Sequence, residues 1–416
     1  MAAYPTLISY EEALEILQNL PIKPLGTQQV HFKNALHRIC AQDICAPQDY
    51  PAYPTAAMDG YAIIFEDLPL LLSQGLKILP PNKAGNPTRP TLEKGYAIKT
   101  FTGSLMPINA DTLIIVEHIT LKNNRIFLNV PKEQVCKSQW IRQVGDNYKK
   151  GEILLRKGDK IGAFEIGLLA ELNCNFIQVY QKVRVGVICV GDEIVEVGAM
   201  SEHTNMVRSV NTHLLESLLL EMNQEPIIYP ILKDDKALIK ATYEQALKEC
   251  DVLLSAGGMS RGDYDYTQEV IKELTQIQFK GVRLKPGKPV TCGIFCNANK
   301  TTFVLGLPGF PNSCAITFLL FGSFILARLQ NNIYKPITLQ AKLLEDVYRT
   351  DSRMEFRACE LINDNGTLGV KFSTKKSLQS SMINNLTHNT ALALLTENGS
   401  NLQAGESIQI MLLNQF

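Results

Sequence analysis

Asp251-Val-Leu-Leu-Ser-Ala-Gly-Gly-Met-Ser-Arg-Gly-Asp-Tyr-Asp-Tyr-Thr267 decides how this chain is read. The run Val252-Leu253-Leu254 lacks polar alternation, as expected for a parallel strand covered on both faces. Gly257 and Gly258 admit positive φ and let backbone N–H groups come close to a bound group. Ser260, Arg261, Asp263, Asp265 and Thr267 then place hydroxyls, a fork of donors and two carboxylates around that loop. Backbone donors with Arg suit phosphate, and paired Asp suits a hard divalent cation such as magnesium. The same residues also suit a tight turn with a solvated tip, and the local sequence leaves both readings open.

Outward from this stretch, apolar runs alternate with helical patterns. Arg184–Ile188, Ile227–Tyr229, Asp251–Ser255 and Thr302–Leu307 read as strands, and Asn211–Met222 and Lys236–Cys250 as helices. Strands alternating with helices predict a doubly wound α/β domain. Ligands of such sheets collect beyond the C-terminal strand ends. There the sequence places Gly191-Asp192-Glu193, the opening loop, and Gly306-Leu-Pro-Gly-Phe-Pro-Asn-Ser313 running into a helix. The last of these carries Pro308, Gly309, Pro311 and Ser313, and a helix start offers unpaired N–H groups to an anion. Lys285-Pro-Gly-Lys288-Pro289 adds two cations on a stiff turn, which is either solvated or a point-charge cradle for phosphate or an oxyanion. Asp234-Asp235 reads equally as a helix start.

At 416 residues the chain exceeds one ordinary core. Residues 51–149, rich in Pro, Gly and β-prone runs such as Tyr96–Lys99, Thr112–Val116 and Arg125–Leu128, form a β-rich module with a turn at Asn123-Asn124. Beyond Lys335 short strands with turns predict a small all-β domain. Ser9 and Glu12 have capping-box spacing ahead of Leu14, Leu17 and Leu20. The apolar run Ala315–Ala327 is shorter than the ~20 residues of a membrane span and reads as a core helix.

Charge excludes several classes. Lys plus Arg equals Asp plus Glu at 41 each, so no global field draws in nucleic acid or an anionic membrane, and any anion site is local. Ten scattered cysteines without a CxxC pair fit reduced thiols in a cytoplasmic protein rather than a zinc site. The six dispersed histidines give a His-centred mechanism no support.

The segments AAMDGYA (56–62), TFTGSLMP (100–107), IRQVGDNYKKGE (141–152), KVRVGVICVGDEI (182–194), the opening stretch (251–267), LKPGKP (284–289) and LGLPGFPNS (305–313) occur in this order, with RMEFRA (353–358) beyond them. Together they resemble the molybdopterin molybdenumtransferases, the MoeA-like family that includes the gephyrin E domain, over essentially the whole chain. The resemblance implies a multidomain α/β plus β fold. Its parts are a doubly wound α/β molybdopterin-binding domain (1–22 plus 183–330), an elongated linking domain (23–50 plus 150–182), a β-rich domain (51–149) and a C-terminal β-barrel-like domain (335–416). It implies insertion of molybdate into adenylated molybdopterin, supported by magnesium, with release of AMP. It also implies a homodimer whose cleft joins the α/β domain of one subunit to the β-rich domain of the other. Molybdopterin adenylyltransferase and downstream cofactor-processing proteins are the further partners it suggests. The alternatives are molybdopterin adenylylation, which the extra N-terminal and C-terminal modules disfavour, and a non-catalytic molybdopterin-binding scaffold.

Carried over by motif, Asp59, Thr102, Asp146, Glu193, Asp234 and Asp265 resemble the functional polar set. Asp59, Glu193, Asp263 and Asp265 are the implied magnesium ligands. Gly257, Gly258, Ser260, Lys285, Lys288, Pro308, Gly309, Pro311 and Ser313 are the implied binding residues. The chain departs from the family pattern at Val190, Arg261, Phe310 and Gln379-Ser-Ser381. Molybdenum and tungsten are not distinguished, because their oxyanions present nearly the same tetrahedral charge.

Overall fold

The computed structural model describes residues 7–200, 205–258, 266–297, 300–349, 351–364, 366–372 and 381–413. Its contacts divide the chain into two compact units: residues 1–42, 157–170 and 174–416, and residues 43–156 and 171–173.

The larger unit is built on a six-stranded sheet. Its strands are β1 (Arg184–Cys189), β2 (Glu225–Ile228), β3 (Val252–Ala256), β4 (Gln276–Lys280), β5 (Thr291–Cys296) and β6 (Thr301–Leu307), in the order β2-β1-β3-β6-β5-β4. The four strands expected from the apolar runs lie parallel. β4 and β5, which the apolar runs do not single out, extend one edge antiparallel. The antiparallel step is local. Asn297 and Lys300 close a tight turn through Asn297 N–H to Lys300 O at 3.0 Å and Lys300 N–H to Asn297 Oδ1 at 2.8 Å. A hairpin of this kind needs no crossover helix.

Successive strand residues face opposite sides, so continuous apolar runs feed two cores at once. Val185, Val187, Leu254 and Leu305 pack on one face with Leu215, Leu219, Phe318 and Phe321. Leu253 and Val304 pack on the other with Ile239, Tyr243, Leu247 and Ile271. The expected capping box starts the helix Tyr10–Asn19: Ser9 Oγ accepts from Glu12 N–H at 3.0 Å, and Glu12 Oε2 accepts from Ser9 N–H at 2.6 Å. Ala13 and Leu17 of this helix join the first core. The Tyr10 ring lies 5.9 Å from Phe321 and 5.1 Å from Phe356. By length and composition the helix Pro311–Leu329 could cross a bilayer, but it is buried inside this core. It carries a π turn at Phe318–Gly322. Each of its fully buried phenylalanines contributes roughly 1.5–3 kcal/mol.

Five C-terminal strands, Thr338–Leu343, Met354–Asp364, Thr367–Lys371, Ala391–Leu395 and Ser407–Leu412, close into a barrel, because Met354–Asp364 pairs with both Thr367–Lys371 and Ala391–Leu395. The expectation of an all-β domain beyond Lys335 needs one correction: Asn384–Thr387 forms a single helical turn. Thr27–His31 pairs antiparallel with Phe176–Tyr180, and a helix covers Ala163–Glu171.

The smaller unit holds a six-stranded sheet in the order Thr112–Ile115, Gly60–Ile63, Tyr96–Thr100, Leu76–Asn82, Arg125–Leu128, Ile119–Lys122. Asn123 and Asn124, with φ of 52° and 58°, make the tight hairpin expected of them. Ile44–Cys45 pairs with Ile153–Leu155 in the same unit.

Candidate active site

At the C-terminal ends of β1, β3 and β6, three loops and one turn line a cavity of about 910 Å³. Val190 and Glu193 come from the loop after β1, Gly257 and Gly258 from the loop after β3, and Pro308, Gly309, Phe310, Pro311 and Ser313 from the loop after β6. Lys285, Pro286, Lys288 and Pro289 supply the turn. The structure therefore brings together nine sequence-selected residues: Glu193, Gly257, Gly258, Lys285, Lys288, Pro308, Gly309, Pro311 and Ser313.

Close backbone approach explains the glycines. Gly257 has φ of +93°, and a Cβ there would stand 2.2 Å from the Val190 carbonyl oxygen. A Cβ at Gly309 would stand 3.6 Å from Gly257 Cα, so the loops after β3 and β6 touch through glycine. Asn211, one residue inside the helix Val210–Glu221, donates from Nδ2 to the Gly309 carbonyl at 2.8 Å and fixes the loop after β6 against that helix. Cys189, which also lines the cavity, accepts a hydrogen bond from Thr212 Oγ1 at 3.1 Å, while burial pushes its thiol pKa up and keeps it neutral.

The lysines differ in setting. Lys285 pairs with the buried Glu355 at 3.3 Å, whereas Lys288 is exposed. Phe310 is 58% exposed and lines the cavity, so this position offers it an apolar ring.

Asp234 does not line this cavity among the described residues. It forms a reciprocal pair with Asp192: each carboxylate accepts from the other residue's N–H, both at 3.3 Å. Asp235 is the helix start, accepting from Leu238 N–H at 2.9 Å. Ser260, Arg261, Asp263 and Asp265 lie outside the described residues. Among the described residues no group of three or more His, Cys, Asp or Glu side chains converges as a metal cage.

In the smaller unit, Asp59 and Thr102 meet directly. Asp59 Oδ1 accepts from Thr102 N–H at 2.8 Å and from Thr102 Oγ1 at 2.7 Å, and these bonds hold the Asp59 carboxyl below the usual carboxylate range. The loop is tightly seated, since a Cβ at Gly60 would lie 2.3 Å from the Ile114 carbonyl oxygen. Asp146 stands on a separate turn, and its carboxylate accepts from Gln143 N–H at 2.6 Å.

Sequence reasoning missed Asn211 as a site residue, and it named Arg353 and Ser381 only within their segments, without a place at the cavity. An amide in the first turn of a helix carries no local signal of the carbonyl it will reach, so Asn211 shows its role only through its contact. Arg353 opens the RMEFRA segment, but only its contacts show that it lines the cavity.

Residues 8–173 match the family model of the MoeA N-terminal region (domain I and II), and residues 186–328 match that of a probable molybdopterin binding domain. The chain is 30% identical over 407 residues to a molybdopterin molybdenumtransferase of Haemophilus influenzae, covering 97% of each. It is 29% identical over 421 residues to one of Nostoc sp., covering 99% of this chain and 95% of the relative. The crystal structure of a molybdopterin biosynthesis MoeA protein from Pyrococcus horikoshii OT3 matches with a TM-score of 0.81 at 28% identity, covering 98% of this chain and 100% of that one.

Proposed function

The chain belongs to the MoeA family of molybdopterin molybdenumtransferases, and from that premise we propose that it joins molybdate to adenylated molybdopterin with release of AMP. The observation that carries the reading is the cavity at the strand ends. It collects Glu193, the glycine contacts, the proline loop and the Lys285–Lys288 turn in a chain related to molybdenumtransferases along its length.

The family supplies the chemistry, and the lining suits it. Water cleaves the phosphoanhydride of the adenylated pterin, so AMP leaves with one new P–O bond and the pterin keeps its own phosphate. The dithiolene sulfurs bind molybdenum from molybdate, and one oxide leaves as water with the two thiol protons, so no oxidant or reductant is needed. Both reactants are anions entering a protein of zero net formal charge, so local cations must attract them. Lys285 and Lys288 supply that charge, and backbone N–H groups of the Gly257-Gly258 and Pro308–Ser313 loops supply directed donors. Glu193 is placed to orient water or a cation at the same edge.

Magnesium fits this donor set as a shared ligand. It is usually held by one or two carboxylates plus substrate phosphates rather than by an all-protein cage. Glu193 is the described carboxylate in the cavity wall that would hold it together with substrate phosphate, and the ion would neutralise phosphate charge. Asp59, with its carboxyl held ionised by Thr102, is the matching acidic residue of the smaller unit. We further propose a cytoplasmic homodimer, supplied by an adenylyltransferase and emptied by cofactor-processing proteins. The family resemblance supports the dimer, and ten free cysteines suit a reducing compartment.

Purified protein incubated with adenylated molybdopterin, magnesium and molybdate should release AMP only when molybdate is present. Consumption of ATP by molybdopterin instead would make the protein an adenylyltransferase. Binding of the pterin without turnover would make it a scaffold. Chelation of magnesium should slow AMP release, and an unchanged rate would remove the metal from the proposal.

A further inference from the structure

The barrel's long strand begins against the Lys285 turn. Leu284 and Lys285 pair in parallel with Met354 and Glu355. Met354 N–H donates to the Arg283 carbonyl at 3.2 Å. Arg353, itself paired with Asp351 at 2.7 Å, donates to the Leu284 carbonyl at 3.1 Å. The turn is thus tied to the barrel through backbone and side chain alike.

Glu355 is the unusual member of this seam. It is 3% exposed, a rare setting for a carboxyl group, whose burial is costly unless it is partnered. Its two oxygens serve different cations: Oε1 accepts from Arg357 Nε at 2.7 Å, and Oε2 lies 3.3 Å from Lys285 Nζ. Residues 355 and 357 share one face of the strand by its period of two. Arg357 lies in turn over the Phe372 ring, 5.3 Å from its centroid. Arg357 would satisfy Glu355 as a barrel pair by itself. The second oxygen turned to Lys285 reaches outside the barrel to a residue that lines the cavity.

A lysine on a turn is a point charge on a flexible four-carbon stem, and fixing it on an anion loses rotamer freedom. A buried carboxylate that already restrains the ammonium removes much of that loss before ligand arrives. One carboxylate between two cations also leaves the group with net positive charge, so the wall still attracts an anion.

We infer that Glu355 is a positioning residue for the transfer site: from the barrel it holds the Lys285 ammonium at the cavity wall, so that the C-terminal barrel sets the geometry of the anion site. This rests on the reading of the cavity as the place where molybdate and the pterin's phosphates bind, and extends it into a part of the chain with no residue among the expected ligands.

The test is a double-mutant cycle in the full chain, read by calorimetric binding of molybdate alone and of inorganic pyrophosphate alone. Lys285→Met identifies which anion the ammonium holds, and the cycle is run with that anion. Glu355→Gln is expected to weaken its binding about tenfold, and Glu355→Asp by less. In the Lys285→Met background Glu355→Gln should change binding less than about twofold, because the group it positions is gone. A purely structural role would carry the same loss into both backgrounds. An undiminished effect in the Lys285→Met background, or wild-type binding by folded Glu355→Gln, overturns the inference, as does a Lys285→Met variant that binds both anions normally. If Glu355→Gln does not fold, Glu355→Asp is run through the same cycle, and the same outcomes support or overturn the inference. Wild-type AMP release, measured alongside, reports separately on the transferase reading, since the binding cycle needs no turnover.

Discussion

Gly257 is where backbone geometry bears most directly on the cavity. Its φ of +93° disfavours any L side chain, and a Cβ would stand 2.2 Å from the Val190 carbonyl oxygen. Gly257→Ala should therefore cost about 2 kcal/mol or more in denaturant unfolding and separate the loops after β1 and β3. A stability equal to wild type would show that the loop takes another path. The two-glycine signal was legible because positive φ narrows the choice of residue so strongly, whereas Asn211 was not: nothing local says which carbonyl an amide will reach. At Asp59 the prediction is one of pH. Hydrogen bonds to the ionised form lower its pKa, so its stabilising contribution is present above the ordinary carboxylate range and is lost as pH falls through the depressed value. Thr102→Val removes one donor and keeps the N–H, so the carboxyl should titrate at a higher pH than in wild type, though still below the ordinary range. NMR titration of that carboxyl decides it, and no upward movement would mean the hydroxyl contributes nothing.

Elements with local causes were legible, and those fixed by distant pairing were not. The helix Tyr10–Asn19 could be read from Ser9 and Glu12 because both halves of its cap lie within one turn. Ser9→Ala should cost about 1 kcal/mol, measured on the unfolding of the larger unit. The antiparallel edge was missed although β4, Gln-Ile-Gln-Phe-Lys, has the alternation of a half-buried strand, because five residues carry that signal too briefly to stand out from the helix before them. Barrel closure depends on Met354–Asp364 meeting Ala391–Leu395, a pairing that no window of sequence contains. The helix Val210–Glu221 was expected, over Asn211–Met222, as a packing element, yet its first turn also pins the loop after β6 through the 2.8 Å bond from Asn211 to Gly309. Asn211→Ala should leave the helix folded and lower molybdate-dependent AMP release about ten- to hundredfold, the scale of a loop displaced by about an ångström. Wild-type turnover in that variant would show that Pro308 and Pro311 hold the loop unaided.

At the scale of the whole molecule, the candidate residues fall into two sets. Glu193, the lysines and the proline loop belong to the larger compact unit, while Asp59, Thr102 and Asp146 belong to the smaller. The sequence order of the motifs identified both sets, because each is a short segment with its own turn chemistry. It could not say which chains of an assembly combine them, since motif order is the same whether one chain or two supply a cleft. The proposed homodimer makes that a question of complementation. Asp59→Asn removes a carboxylate from one set and Glu193→Gln from the other, and neither substitution changes side-chain volume enough to disturb packing. If the cleft takes one set from each subunit, a mixed dimer of the two variants has one cleft with both defects and one with neither. Such a dimer should recover about half of wild-type AMP release, while each variant alone stays near zero. If each chain supplies its own complete cleft, every cleft in the mixture carries one defect, and mixing should restore nothing. The assay therefore separates the two assemblies by presence or absence of rescue, with tagged subunits purified in tandem so that only mixed dimers are measured.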